Sequence, residues 1–346
     1  MKRLYIFLLL FISTCSLYSQ KPKKLFRSDS VLELTITMPL KDVINNRKER
    51  QEYDSKLSYM AADGTAFEHA IKVKVRGKTR AFKQICTFPP LELGFDKKDT
   101  ENSIFKGQKK MKLVAHCQND RSFEEYVQRE YLIYKMYQHI TPISFNVRLC
   151  RITYVDENKP KQQNIHYGFL IESIKDVAKR NDLTVFKGKL RNQETLNKDN
   201  LDKLIFFEYL IGNLDWSITE RHNMKVLIGD KGALPVAVPY DFDYSGLVNT
   251  PYALPPEELN LPDVRTRLFR GFCRKDNYQE TINFYKGIEN DLRSELTNLS
   301  SLNGKSVNSV SKYMDGFFEI LNSDKDVDKK IVRACKVDHK HAYEYN

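Results

Sequence analysis

The chain has 346 residues, and its 56 Lys and Arg outnumber 45 Asp and Glu for a formal charge of +11. That length admits one large domain or two lobes sharing a cleft. The positive excess suits anionic partners, but it is diffuse, without the clustered basic stripe of a nucleic-acid reader, and no segment beyond the first twenty residues is apolar enough to span a bilayer.

The N-terminus places Lys2 and Arg3 ahead of the apolar run Leu4-Tyr5-Ile6-Phe7-Leu8-Leu9-Leu10-Phe11-Ile12, followed by small polar residues up to Ser19-Gln20. This is the layout of a secretory signal over residues 1–19, and it predicts an exported protein, periplasmic or extracellular. An uncleaved anchor is one alternative. Lipid attachment at Cys15, suggested by Ile12-Ser13-Thr14-Cys15, is another, although Thr14 is a poor residue before such a cysteine. Removing Lys2 and Arg3 leaves 54 basic against 45 acidic residues, a net of +9. Five cysteines then remain: Cys86, Cys117, Cys150, Cys273 and Cys335. None has the CxxC spacing of a zinc cluster; export permits disulfides, an odd count leaves at least one thiol unpaired within the chain, and the pairing stays open.

In chain order, Val31-Leu32-Glu33-Leu34-Thr35-Ile36-Thr37 alternates with period two and reads as a strand. Residues 69–76 read as a second, ended by Gly77, and Phe88–Leu93 and Met111–Ala115 continue a strand-rich first third. Ser122 and Glu125 have capping-box spacing, predicting a helix to about His139. Strands follow at Val147–Val155 and Tyr167–Glu172. A helix is predicted over 199–212, then a strand pair at Met224–Ile228 and Pro235–Tyr240 joined by a turn at Gly229–Gly232. From about residue 251 onward the pattern is helical, including 277–298 and 305–322. The expected organisation is α+β in two lobes: residues 20–175 an N-terminal, mainly antiparallel sheet with one helix laid against it, residues 176–346 a mainly helical C-terminal lobe.

Polar motifs fall where elements end, the positions from which rigid scaffolds present functional groups. Asp215 follows the 199–212 helix in Gly212-Asn213-Leu214-Asp215-Trp216-Ser217. Asn223 precedes a strand in Arg221-His222-Asn223. Asp241 and Asp243 follow the next strand in Tyr240-Asp241-Phe242-Asp243-Tyr244-Ser245-Gly246. Carboxylates with an amide oxygen are a suitable hard ligand set for Mg²⁺, and the order Asp, Asn, Asp across a hairpin is the one protein kinases use for phosphoryl transfer. Each aspartate alone could equally cap a turn. His116-Cys117 has no second ligand pair at metal spacing and reads as a strand end.

Together with Lys109-Lys110-Met111-Lys112-Leu113-Val114, Arg129-Glu130-Tyr131 and Phe169-Leu170-Ile171-Glu172, these motifs make residues 70–275 resemble the spore coat protein H (CotH) kinase-like family, in a divergent exported branch. The resemblance implies an atypical protein-kinase fold that binds ATP with Mg²⁺ or Mn²⁺ and phosphorylates a protein hydroxyl. It implies Asp215 as the catalytic aspartate, Asn223 and Asp241 as metal ligands with Asp243 close behind, Lys112 as the phosphate-contacting lysine paired with Glu130, and Glu172 near the adenine contact. Two departures stand out. Arg76-Gly77-Lys78-Thr79-Arg80 resembles the family's Arg-Gly turn but is not a glycine-rich loop, and Asp215 and Asn223 are further apart than in ordinary kinase loops. A pseudokinase-like exported surface or matrix protein, or a metal-dependent phosphohydrolase, are the rival functions.

Overall fold

The computed structural model describes residues 20–190 and 195–335. The expected signal segment, Cys15 included, lies outside the described residues. Seven strands form a closed barrel in the order β1-β2-β3-β4-β5-β7-β6: β1 (Leu32–Met38), β2 (Tyr53–Met60), β3 (Ala66–Val75), β4 (Leu91–Phe95), β5 (Lys110–Val114), β6 (Val147–Asp156) and β7 (Lys159–Ile171). Neighbouring strands run antiparallel except β1 and β6, which pair in parallel from Leu32 opposite Cys150 to Met38 opposite Asp156 and close the ring. In β1 the apolar residues Leu32, Leu34, Ile36 and Met38 are all buried. Period-two side-chain alternation therefore sends every second residue into the barrel, where Leu57, Val73, Leu91, Leu93, Leu113 and Ile152 meet them.

The expectation of a mainly antiparallel sheet holds, with β1 and β6 the one parallel pair, but the expected single helix is corrected: two helices accompany the sheet. The short α1 (Leu40–Asn45) buries Val43 in the barrel core, whereas α2 (Ser122–Gln138) packs on the outside and joins the core of the C-terminal elements. The predicted capping box is also absent. Ser122 is the first helical residue, its N–H donates to Asp120 Oδ1 at 2.7 Å, and Glu125 accepts hydrogen bonds from Ser306 and Asn303 instead. Strand β2 escapes the sequence because only Leu57 and Tyr59 of its large apolar residues are buried while Met60 lies on the surface.

After α3 (Ile174–Arg180), the strands β8 (Thr184–Val185), β9 (Met224–Ile228) and β10 (Val236–Pro239) form a small sheet in the order β10-β9-β8. Helix α4 (Lys198–Ile211) is capped by Asn197, whose side chain accepts from Asn200 N at 3.0 Å. Helices α5 (Gln279–Gly287), α6 (Glu289–Asn298), α7 (Gly304–Leu321) and α8 (Asp324–Val327) follow. Residues 251–278 depart from the helical expectation and contain only the single 3₁₀ turn Glu257–Leu259, because Pro251, Pro255, Pro256 and Pro262 lack the N–H donors a helix ladder requires. The fold is mixed α+β.

Disulfides join Cys86 to Cys117 and Cys273 to Cys335, leaving Cys150 as a buried free thiol. Two structural disulfides fit an exported protein. Among the described residues no helix is long and apolar enough to cross a membrane.

Candidate active site

The loop after α4 and the loop after β10 are brought together by two glycines. Gly212 ends α4 at φ +62°, a left-handed conformation that a side chain resists. A Cβ at either Gly212 or Gly246 would run into the Tyr313 hydroxyl. Without those Cβ atoms the two chains approach closely enough for Gly246 N to donate to Gly212 O at 3.0 Å and Leu247 N to Ile211 O at 2.9 Å. Between Asp241 and Asp243, Phe242 is fully buried against Tyr134 and Phe207. The ring fixes the segment in the core, and the aspartates on either side of it both line the pocket described below. Asp241 N also donates to Tyr134 Oη at 2.9 Å, which ties the segment to α2.

The longer separation of Asp215 and Asn223 is taken up by a tight hairpin. Ser217 N donates to His222 O at 3.0 Å, so residues 218–221 loop out and Asn223 returns to Asp215. Asn223 Nδ2 donates to both the backbone carbonyl and the carboxylate Oδ2 of Asp215, at 2.8 and 3.0 Å. The other carboxylate oxygen, Oδ1, lies 2.7 Å from His222 Nε2. That contact with Asp215 raises the His222 pKa above its ordinary value, against the opposing effect of partial burial. Beneath the loop, Asp215 N donates to Asn213 Oδ1 at 3.1 Å, and Arg270 donates to Leu214 O at 2.7 Å while lying over the Trp216 ring.

Arg80 connects the barrel side to this region. Its guanidinium lies 3.3 Å from Asp243, 3.4 Å from Asp241 and 3.6 Å from Glu130. The side chain is buried, which by itself lowers its pKa, but Asp243, Tyr252, Glu130 and Asp241 together raise it well above normal. Burial, only partly offset by Arg80, raises the pKa of both Glu130 and Asp243. Tyr252 Oη completes the group by donating to Asp243 Oδ2 at 3.0 Å.

Asp215, His222, Asn223, Asp241 and Asp243 line a cavity of about 360 Å³ together with Arg50, Arg76, Lys78, Arg80, Lys112 and Arg221. Lys112 on β5 is largely buried, and its pKa is pushed down to about 8, by desolvation first and then by neighbouring Arg76. Its ammonium lies 4.8 Å from the Tyr240 ring centre.

Of the residues expected from the sequence, Lys112, Asp215, Asn223, Asp241 and Asp243 thus line one cavity. Two assignments are corrected. Glu130 does not pair with Lys112: it sits one layer behind the cavity, held to Arg80, because α2 faces the Thr79–Ala81 turn that carries this arginine. Glu172 is not at the cavity at all. Its carboxylate accepts from Asn146 N and Nδ2 at 3.0 and 2.8 Å and from Arg180 Nε at 3.2 Å, which locks the end of β7 to α3. Arg80 is indistinguishable from its neighbours in the sequence, and the only signal for it is membership of the Arg76-to-Arg80 block. His116 is buried against Phe88 and His166, and Cys117 is consumed by its disulfide. In comparisons with known proteins, no family model matches the chain and no curated protein matches it.

Proposed function

We propose that this protein is an atypical, CotH-like kinase that transfers a phosphoryl group from ATP to a protein hydroxyl at the Asp215 site. The observation that carries the reading is the meeting, in one cavity, of carboxylates and an amide with six cationic side chains. Phosphoryl transfer needs both: cations to neutralise the phosphate oxygens, and carboxylates to hold a metal and orient a nucleophile.

The donor set suits a hard divalent ion. Asn223 spends its Nδ2 on Asp215, which leaves its Oδ1 as a ligand, and Asp241 lies in the same cavity wall with a partly exposed carboxylate. Asn223 and Asp241 would hold Mg²⁺ or Mn²⁺, with Asp243 behind them fixing Arg80. The metal would supply positive charge against the developing charge of the transferred group. Asp215 would orient the acceptor hydroxyl and take up its proton, with His222 and Asn223 fixing the carboxylate plane. Lys112 and Arg76 would bind phosphate oxygens in the role that the resemblance gave to a Lys112–Glu130 pair.

The test is transfer of labelled phosphate from ATP and Mn²⁺ to the protein itself or to casein. Wild type is expected to transfer, and Asp215→Asn to lose about 10² to 10⁴-fold, the usual contribution of a positioned acid-base group. One observation favours a second reading, that of a nucleotide-binding pseudokinase: both Asp215 carboxylate oxygens are already engaged, by His222 and Asn223. Thermal stabilisation by ATP and Mg²⁺ without any labelled product would decide for that alternative, and release of free phosphate without a labelled protein would instead indicate a phosphohydrolase.

A further inference from the structure

The geometry points to a site that reads the polyphosphate chain and its metal and is indifferent to the nucleoside attached to it, an inference that rests on the phosphate-binding reading above. Three features carry it. First, the cations facing the cavity are available: Arg76, Lys78 and Lys112 have no carboxylate within ion-pairing distance among the described residues. A triphosphate can therefore engage several of them at once, and charge-assisted contacts of this kind are among the stronger ones.

Second, both tyrosines that line the cavity are engaged: Tyr244 packs against Tyr252, with ring centres 5.6 Å apart. The Tyr240 ring carries both the Lys112 and the Lys225 ammonium, each 4.8 Å from its centre. Third, Glu172, expected at the adenine contact, is 2% exposed and its carboxylate is spent on Asn146 and Arg180. Strong discrimination between ligands requires a site with buried polar groups built to match one of them, whereas the cations available at this cavity, Arg76, Lys78 and Lys112, are partly buried or exposed and suit phosphate oxygens. The ligand class is thus any triphosphate chain with a bound divalent ion: ATP, GTP or inorganic tripolyphosphate.

Calorimetric titration of the full chain in excess Mg²⁺ with ATP, GTP and inorganic tripolyphosphate tests this. The dissociation constants of the three are expected within fivefold of one another, with adenosine giving no binding. If ATP binds more than fivefold tighter than tripolyphosphate, the inference is overturned while the phosphate site stands. If none of the three binds, the phosphate reading itself falls. Lys78→Gln, at a solvent-exposed position, is expected to fold as the wild type does and to weaken all three by the same factor. A loss confined to the nucleotides would also overturn the inference.

Discussion

Asn223 holds Asp215 by two hydrogen bonds from one amide nitrogen, to the backbone carbonyl at 2.8 Å and to the carboxylate at 3.0 Å, and it does so from a left-handed backbone with φ +51°. The residue therefore has separable backbone and side-chain roles. Asn223→Ala removes the amide and strains the backbone, at about 1–2 kcal/mol. Asn223→Gly removes only the amide. Urea denaturation should show the glycine variant more stable than the alanine variant, whereas phosphate transfer should be lost equally in both.

Arg80 is the counter-charge for Glu130, Asp241 and Asp243. Deleting one partner of a buried ionic group leaves uncompensated charge and costs about 3–5 kcal/mol. Arg80→Met is expected to lose that much in chemical denaturation, and Glu130→Gln in the same background to restore part of it. Additive losses in the double variant would show that the pairing carries no energy.

Much of the site is legible in the sequence because Asp215, Asn223 and Asp241 lie at element ends, and those ends are marked locally by Gly212, by the β9–β10 turn and by apolar alternation. The partners of buried charges are not legible. Glu130 could face Lys112 or Arg80, and only the packing of α2 against the Thr79–Ala81 turn selects Arg80. Glu172 sits at a predicted strand end, but its fate depends on Arg180 reaching back from α3. Barrel closure is equally hidden, because β1 and β6 are far apart in the chain and nothing in either strand announces a parallel partner.

The His222–Asp215 contact makes a signed pH prediction for protein without added divalent ion. The folded-state pKa of His222 is raised by Asp215, so its stabilising contribution is complete below the ordinary histidine value and disappears as pH rises through the raised one. His222→Asn should therefore destabilise the protein at pH 5.5 and be close to neutral at pH 8.5. Thermal melts at the two values check this, and an equal effect at both would refute the ion pair.

Burial first, and then neighbouring Arg76, push the pKa of Lys112 down to about 8. Above that value the cavity loses one positive charge, so triphosphate affinity should fall as pH rises from 7 to 9. In Lys112→Met affinity should be lower at pH 7 and much flatter across the range, measured by calorimetry in Mg²⁺.

Cys86–Cys117 closes a sequence separation of 31 residues around β4 and β5 and anchors the chain just after the turn that carries Arg80. Chain-entropy arguments assign such a link about 4 kcal/mol. Replacing both cysteines with serine should lower the melting temperature and raise hydrogen exchange in residues 78–90, while the Cys273–Cys335 pair in the other core leaves that exchange unchanged.

Ring closure by β1 and β6 also bears on solubility. An open sheet presents two rows of unpaired amides and carbonyls that can template pairing with another molecule, and here each of the seven strands has a neighbour on both sides. Trimming the chain through Leu32–Met38 would uncover β2 and β6 together, converting a self-contained barrel into a sheet with two adhesive margins. Shortened versions of this protein should consequently fail by self-association before they fail by unfolding.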